Sequence, residues 1–187
     1  MHETIGADIK DPTGVFAFWR AAGSGKWFDT DDAFDSEIRT RFLGTYEAAA
    51  SGALNSWEAT PEAALALVLL LDQFPRNMFR GTPRAFAADP LARAVAHRAI
   101  ARGFDERVPR SEQLFFYLPF EHSEDPADQE RCVALCRNSA DADALKWAEL
   151  HADVIRRFGR FPHRNPILGR ASTPEEETFL ASGGFAG

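Results

Sequence analysis

The stretch TPEAALALVLLLDQFPRN, residues 60–77, carries most of the information about the fold. Thr60 stands directly before a proline, and a threonine cap followed by proline at the first helical position is a common helix start. Nine apolar residues follow without interruption at 63–71, which predicts a helix packed against the core. Asp72 closes this run, so we expect its carboxylate to lie near the core, where an unpaired charge is costly. The segment then ends in Phe-Pro-Arg-Asn at 74–77.

Comparable helix starts and stops occur along the rest of the chain. An aspartate or threonine precedes a proline at Asp89, Asp125 and Thr173, and Glu176 adds a capping box to the last of these. Left-handed glycines that end helices are expected at Gly52, Gly103 and Gly159. Between these signals, apolar residues recur at intervals of three and four, without the alternation of strands or the turn motifs of hairpins.

These signals predict an all-α fold of stacked antiparallel helix pairs. The predicted helices span residues 13–22, 31–50, 61–74, 90–102, 111–118, 126–139, 142–158 and 174–181. The length of 187 residues suits one domain over residues 1–187, or two helical lobes that share a core and divide near 105–125.

The composition limits the classes of function. The formal net charge is -7, whereas a general nucleic-acid binder shows a basic face, so no nucleic-acid partner is predicted. The first twelve residues are polar and of mixed charge, so we expect no signal peptide, and a nine-residue apolar run is too short to span a bilayer. The sequence therefore predicts a soluble, cytoplasmic protein without a membrane partner. Cys132 and Cys136 have the spacing of neither a redox nor a zinc motif and are interpreted as small core residues.

Arginine is segregated into two stretches that contain no carboxylate. Residues 73–88 hold three arginines, and residues 156–170 hold five arginines and one histidine. The second stretch contains Phe-Pro-His-Arg-Asn at 161–165, a near repeat of the segment at 74–77. An arginine fork suits a carboxylate or phosphate, and asparagine donates or accepts beside it. We expect both segments to be proline-pinned loops that approach each other around one anion. The predicted ligand-binding residues are Arg76, Asn77, Arg80, Arg160, His163, Arg164 and Asn165.

Asp72 and His122 are two candidates for acid–base chemistry. Asp72 is either a catalytic carboxylate or one half of a structural ion pair with Arg76. His122 lies between carboxylates in the segment Glu-His-Ser-Glu at 121–124, which is predicted to be a loop between helices. His122 is therefore either a general base, oriented by an acidic neighbour, or part of a loop whose acids complement the next helix start.

His151 is the third acid–base candidate, and it falls on the predicted apolar face of its helix together with Trp147 and Phe158. It is either a hydrogen-bonded core histidine or a proton-transfer group. A metal site would have to gather His122, His151 and His163 from distant segments without a local signature, so no metal is predicted. No cofactor is predicted either, because the chain carries no organic-cofactor fingerprint and the glycines near Lys26 lack the spacing of a phosphate-binding loop.

Several long motifs resemble those of a known protein family. They are Phe18-Trp19, Lys26-Trp27-Phe28, and the segments LLDQFPRN at 70–77, FYLPFEHSED at 116–125 and RFGRFPHRN at 157–165. Over essentially the whole chain, these motifs are similar to the bacterial domain-of-unknown-function family 924. The resemblance implies an all-helical, tetratricopeptide-like superhelix and implies no activity. The tetratricopeptide consensus itself does not recur in this chain at its regular period.

Two hypotheses of function follow from these observations. In the first, the arginine-rich loops bind a small anionic ligand, and the acid–base candidates make the protein a cofactor-free hydrolase or acid–base enzyme. In the second, a tetratricopeptide-like groove binds an acidic or C-terminal peptide as an interaction module. A closed pocket with convergent polar groups favours the first hypothesis, and an open groove lined by spaced arginines favours the second.

Overall fold

All regular structure in the described residues, 9–139 and 141–185 of this computed structural model, is helical. The predicted all-α fold is therefore confirmed. The α-helices are α1 (Pro12–Ala22), α2 (Ser24–Trp27), α3 (Asp32–Ala50), α4 (Pro61–Val68), α5 (Phe74–Met78), α6 (Asp89–Ala101), α7 (Arg110–Gln113), α8 (Leu118–Glu121), α9 (Pro126–Ser139), α10 (Ala142–Phe158) and α11 (Pro174–Ala181). Short 3-10 turns lie at Asn55–Ala59, Pro83–Phe86, Asp105–Arg107, Leu114–Phe116 and Pro162–Arg164. The first eight residues, to which part of the signal-peptide expectation refers, lie outside the described residues.

The predicted caps explain most of the observed helix ends. Thr60 accepts the Ala63 N–H at 3.4 Å, and Thr173 forms both halves of the predicted capping box with Glu176. Gly159 ends α10 in the left-handed region at φ 69°, a conformation that glycine adopts without a side-chain clash. The predicted capping role of Asp89 is wrong: this residue is the first of α6, after Ala88, because its carboxylate binds an arginine of another helix instead.

The predicted helix at 61–74 continues further than expected. α4 passes into a π-helical turn, Leu69–Gln73, in which the Phe74 N–H bonds to Leu69 O five residues back, and α5 follows without a break. Pro75, which has no N–H to donate, lies directly after this wider turn, in the first turn of α5. The Phe-Pro-Arg-Asn segment is consequently helical, and the prediction of a loop there is wrong.

The predicted helix at 111–118 is divided into three short pieces. α7 is followed by a 3-10 turn and then by α8, which contains Pro119 and ends at Glu121. His122 is the C-terminal cap residue of α8, so the loop predicted at 121–124 begins one residue later than expected. This places His122 at the end of a buried helix that packs on α9 and α6.

One hydrophobic cluster runs from Val15 to Ala152. It includes Phe116, which is fully buried, so the core is continuous across the division predicted near 105–125. The main helix pairings are α9 with α10, α3 with α5, and α4 with α6. A smaller cluster around Phe161 joins the end of α10 to the C-terminal residues. Within the part of the chain that the structure describes, no helix is long and apolar enough to cross a membrane.

Fewer side chains of α10 are buried than its predicted apolar face suggests. His151 and Val154 are buried, but Trp147 is 49% exposed and Leu150 is 39% exposed. The spacing of three and four residues places these side chains on adjacent parts of the helix surface, and only a stripe of that surface contacts α9. The prediction that Trp147 packs inward beside His151 is therefore wrong.

Candidate functional site

The two Phe-Pro-containing segments meet in the folded protein at Arg76 and Arg164. Arg76 lies on α5 and Arg164 ends the 3-10 turn Pro162–Arg164, and their Cζ atoms lie 5.8 and 4.7 Å from the centre of the same Phe86 ring. Both approach Asp89 at the start of α6, where the Nη1–carboxylate distances are 3.0 Å for Arg76 and 4.0 Å for Arg164. We refer to the residues gathered here as the central cluster, which comprises Asp72, Arg76, Asp89, Glu121, His122, His163 and Arg164.

Asp72 and His122 form a buried pair at the centre of this cluster. The π-helical turn turns the carboxylate of Asp72 inward, where it has no solvent exposure, and its Oδ1 lies 2.9 Å from His122 Nδ1. Gln73 donates to the other oxygen, and Arg76 donates to the backbone carbonyl of Asp72 at 2.6 Å. Single π-helical turns are frequent at functional sites because they redirect side chains out of the α-helical pattern.

The charges around this pair fix its protonation state. Burial opposes ionisation of Asp72, but the positive charge of Arg76 and the contact with His122 lower the pKa of Asp72 to about 2. Burial and the charge of Arg76 lower the pKa of His122, against the opposing effect of Asp72. At neutral pH His122 is therefore an uncharged imidazole whose Nδ1–H donates to the Asp72 carboxylate. Its Nε2 has no hydrogen bond to any described residue, and the side chain keeps 15% exposure.

Glu121 is a second buried carboxyl group beside this pair. It is 4% exposed, and it has no arginine or lysine partner among the described residues. Its neighbours are His151, with Nδ1 3.5 Å from Oε1, and the Cys132 thiol, with Sγ 3.9 Å from Oε2. Burial and then the negative charge of Asp72 raise the pKa of Glu121 to about 8. Glu121 is consequently a protonated carboxylic acid at neutral pH.

His151 has the geometry of a hydrogen-bonded core histidine, one of the two alternatives considered from the sequence. Its Nδ1 lies 2.8 Å from the backbone carbonyl of Trp147, and its ring packs on Phe161 and Phe185 at 5.6 and 4.3 Å between centroids. Burial lowers the pKa of His151 to about 3, so the ring is neutral and its Nδ1–H donates to the Trp147 carbonyl.

Arg164 is a buried arginine with one edge of its guanidinium, Nε–Nη2, free of hydrogen bonds to the described residues. The residue is 6% exposed, and its Cζ lies over the rings of Phe86 and Phe161 at 4.7 and 4.5 Å. Nη1 donates to the carbonyl of His122 at 3.0 Å. Nε is buried without any hydrogen-bond partner, and Nη2 has none among the described residues. Burial and the neighbouring charge of Arg76 lower the pKa of Arg164 to about 10.

His163 adds a second buried polar atom without a partner. Its Nδ1 makes no hydrogen bond in the described structure, and its ring lies between Phe161 and Phe185, at 5.7 and 5.3 Å between centroids. Burial and the charge of Arg164 lower the pKa of His163 to about 4. Two adjacent residues of one turn thus hold unused hydrogen-bonding atoms, whereas buried polar atoms almost always have partners.

Two of the residues predicted to bind a ligand bind α3 instead. Arg80 directs its fork at Asp35, with Nε–Oδ2 2.7 Å and Nη2–Oδ1 3.1 Å. Asn77 donates to the same carboxylate at 2.7 Å. The structure therefore does not bring Arg80 to Arg164, because Asp35 occupies its fork and ties the end of α5 to α3.

Two further predicted ligand-binding residues are engaged by α11. Arg160 Nη2 and Asn165 Nδ2 both donate to Glu176 Oε2, at 2.8 and 3.1 Å, and Arg160 Nε donates to the other oxygen at 2.6 Å. Glu176 is thus shared between the capping box of α11 and these two side chains. These contacts anchor the segment that follows α10, which contributes Arg164 to the central cluster.

Two residues of this region, Asp89 and Glu124, were not recognised from the sequence as members of a site. Asp89 binds the fork of Arg76 at 3.0 and 3.1 Å. Glu124 binds Arg170 at 2.7 and 2.9 Å and also accepts the Phe161 N–H at 2.8 Å. Glu124 lies in an acidic segment, and residues 156–170 contain arginines but no acid, so the sequence did hold a signal for their pairing. Asp89 stands directly before Pro90, and this pattern indicated a helix cap rather than a partner of Arg76.

The central cluster contains no recognisable metal site. Within residues 9–139 and 141–185, no group of three or more potential metal ligands has suitable geometry. Two cavities of about 470 and 380 Å³ lie elsewhere, between α7 and the α9–α10 junction, where Arg110 and Ser139 line both. No residue of the central cluster lines either cavity.

The protein is thus all-helical. It holds a buried Asp72–His122 pair, and the nearby Arg164 has an Nε without a hydrogen-bond partner. The chain belongs to DUF924, a family of bacterial proteins of unknown function, whose model matches residues 15–184. It is also similar to a solved structure of a protein of unknown function from Agrobacterium tumefaciens. The two are 49% identical with a TM-score of 0.89, and the match covers 91% of this chain and 97% of the other. No functionally curated protein shows significant similarity to this chain.

Proposed function

We propose that the protein binds a small organic anion at Arg164 and acts on it without a cofactor, with His122 as general base. The observation that carries the proposal is the open edge of the Arg164 guanidinium. A buried hydrogen-bond donor without a partner costs about 1–3 kcal/mol, and a bound anion would remove that cost. Arginine presents parallel N–H donors that match the oxygens of a carboxylate or phosphate.

His122 is suited to the role of base because its tautomer is fixed. Asp72 accepts the Nδ1–H at 2.9 Å, which leaves the lone pair of Nε2 free to take a proton from the ligand or from a water molecule. Arg164 donates to the backbone carbonyl of His122, so the anion site and the base belong to one connected group. The chemistry that this arrangement supports is hydrolysis through an activated water or proton transfer at the ligand itself.

Three finer features belong to the same proposal. The helix pairs are proposed to form a tetratricopeptide-like superhelix, and the protein is proposed to act in the cytoplasm, in keeping with its two buried free cysteines. The alternative function is an interaction module for acidic or C-terminal peptides. It is less well supported, because Arg80 and Arg160, which would line such a groove, are already paired with carboxylates.

Ligand binding is tested by the shift in thermal unfolding temperature with small carboxylates, phosphorylated metabolites and acidic peptides. The protein is compared with Arg164→Lys, which keeps the charge but removes the fork, and with the control Arg80→Lys, which alters an arginine paired with Asp35. We expect a small anion to stabilise the wild type and the control but not Arg164→Lys. Stabilisation by peptides alone would favour the interaction module, and equal shifts in all three proteins would refute the Arg164 site.

The base is tested separately by chemical modification of histidine. Diethyl pyrocarbonate acylates neutral imidazole at an accessible nitrogen, so we expect His122 to be modified in the free protein and protected by a stabilising anion. Peptide mapping by mass spectrometry identifies the site, with exposed His97 as the internal control that an anion does not protect. Unchanged modification of His122 in the presence of a bound anion would place the ligand away from the base.

A further inference from the structure

Resting on the proposed function, we infer that the anion is a monocarboxylate rather than a phosphate or phosphate ester. The inference depends on how many donors and how much positive charge the central cluster has left to offer.

The charges of this region are already balanced before a ligand enters. Within the central cluster, the guanidinium groups of Arg76 and Arg164 face the carboxylates of Asp72 and Asp89. The adjacent pair of Arg170 and Glu124 adds one charge of each sign. The formal charges of all these groups cancel. A monoanion therefore leaves one excess negative charge, and a dianion leaves two in a region of low polarisability, where such charges repel strongly.

The available hydrogen-bond donors also match two oxygens better than three. Arg76 directs its fork at Asp89, at 3.0 and 3.1 Å, and Arg170 directs its fork at Glu124, at 2.7 and 2.9 Å. Arg164 Nε is buried without a partner, and Nη2 has no hydrogen bond to a described residue, so the Nε–Nη2 edge of this guanidinium offers two donors. The two oxygens of a carboxylate satisfy this edge in one plane.

A third oxygen would meet unfavourable neighbours. Asp89 Oδ2 lies 4.0 Å from Nη1 of Arg164, so an oxygen directed to that side faces a negative charge. His163 Nδ1 is unpartnered and can donate one hydrogen bond, but as a neutral ring it adds no positive charge. The free donors therefore suit a planar monoanion, whose two oxygens would need none of the existing ion pairs to break.

The test measures dissociation constants at pH 7.0 by isothermal titration calorimetry for two matched series. The first series is benzoate, benzenesulfonate and phenyl phosphate, and the second is acetate, methanesulfonate and methyl phosphate. Each series keeps the organic group constant, the sulfonates keep a single charge with three oxygens, and the phosphate esters carry close to two charges. Arg164→Lys and the control Arg80→Lys are measured with the tightest ligand of each series.

We expect the carboxylate to bind at least about tenfold more tightly than the phosphate of its series, as one uncompensated charge would produce, with the sulfonate in between. Loss of this binding in Arg164→Lys but not in Arg80→Lys would support the assignment. Equal or tighter binding of the phosphates would overturn the monocarboxylate inference and leave the proposed anion site intact. Sulfonates that match the carboxylates would also overturn it, because charge alone would then decide. If none of the six anions binds, both the inference and the proposed function fail.

Discussion

The protonated carboxylic acid of Glu121 makes a sharp prediction about the pH dependence of stability. Its pKa is raised from 4.5 to about 8 in the folded protein, so the folded state holds a proton that the unfolded state has already released. Stability from such a group is fully present below the unfolded pKa and is lost as the pH rises through the folded pKa. Each pH unit within that window costs about 1.36 kcal/mol. Between pH 5.5 and 8 the expected loss from this one group is therefore about 3 kcal/mol.

The variant Glu121→Gln isolates this contribution, since a neutral amide of similar shape has no proton to lose. We expect the free energy of unfolding of the wild type to fall by about 3 kcal/mol relative to Glu121→Gln over this pH range. The buried histidines His151 and His163, whose pKa values are lowered to about 3 and about 4, act in the opposite direction, because their stability is lost as the pH falls below the unfolded value of 6.5. The effect of His163 is common to both proteins and cancels in the comparison. His151 lies 3.5 Å from Glu121, but its contribution is confined to pH values below about 7, so the comparison above that pH reports Glu121.

The assay is urea denaturation followed by far-ultraviolet circular dichroism at four pH values from 5.5 to 8, with a thiol reductant present. The denaturant dependence should be the same in both proteins, so that the difference in midpoint reports stability alone. Glu106→Gln, a change at an exposed position, is the control and should follow the wild type. Parallel stability curves for the wild type and Glu121→Gln would show that Glu121 is ionised in the folded protein, and would refute this account of its environment.

Three further predictions concern the frame of the site. Asp89→Asn should destabilise the protein by about 3 kcal/mol, because it removes a buried partner from Arg76 and brings Arg164 no replacement; a loss below about 1 kcal/mol in urea unfolding would mean that the fork contributes little. Gly159→Ala should cost about 1 kcal/mol through its positive φ of 69°, although the space around the glycine is open; an unchanged midpoint would contradict the left-handed cap. The two cysteines, Cys132 and Cys136, should not react with Ellman's reagent at pH 8 until urea is added, since the hydrogen bond between them and their burial raise the pKa of the Cys132 thiol; rapid reaction in the native protein would show that their helix opens.

The parts of the fold that could be predicted are those decided by neighbouring residues. The predicted bounds of α9, α10 and α11 agree with the structure, because a capping oxygen, a proline and a glycine act over one turn of the backbone. The helical nature of residues 74–78 was missed because it depends on the π-helical turn before Pro75. That turn has no sequence signature of its own, and a residue before proline usually avoids the α-helical region, which by itself favours a helix end at Phe74.

The candidate site could be predicted only in part, for a related reason. From the segregation of arginine, two segments were expected to approach each other around one anion, and in the structure Arg76 and Arg164 approach the same carboxylate, that of Asp89. Which acids pair with the arginines depends on tertiary structure: Arg80 pairs with Asp35 at a separation of 45 residues. Arg160 pairs with Glu176, an acid that the sequence explains fully as part of a capping box. Four predicted ligand-binding residues thus hold the frame together, and Arg164 remains with an unused edge.

The π-helical turn between α4 and α5 has a consequence for how the chain tolerates changes in length. A helix turns by about 100° for each residue, so the extra residue accommodated in Leu69–Gln73 rotates everything after it by about that angle relative to α4. Because of this rotation, α4 packs against α6 and α5 packs against α3, although the two form one continuous helical segment. Asp72 lies within the π-helical turn between them. Removing a single residue from the turn would restore an ordinary α-helix, and the fork of Arg76 would then swing away from Asp89. Changes of length are usually tolerated best outside helices, but the position of Arg76 depends on the number of residues in this one helical turn.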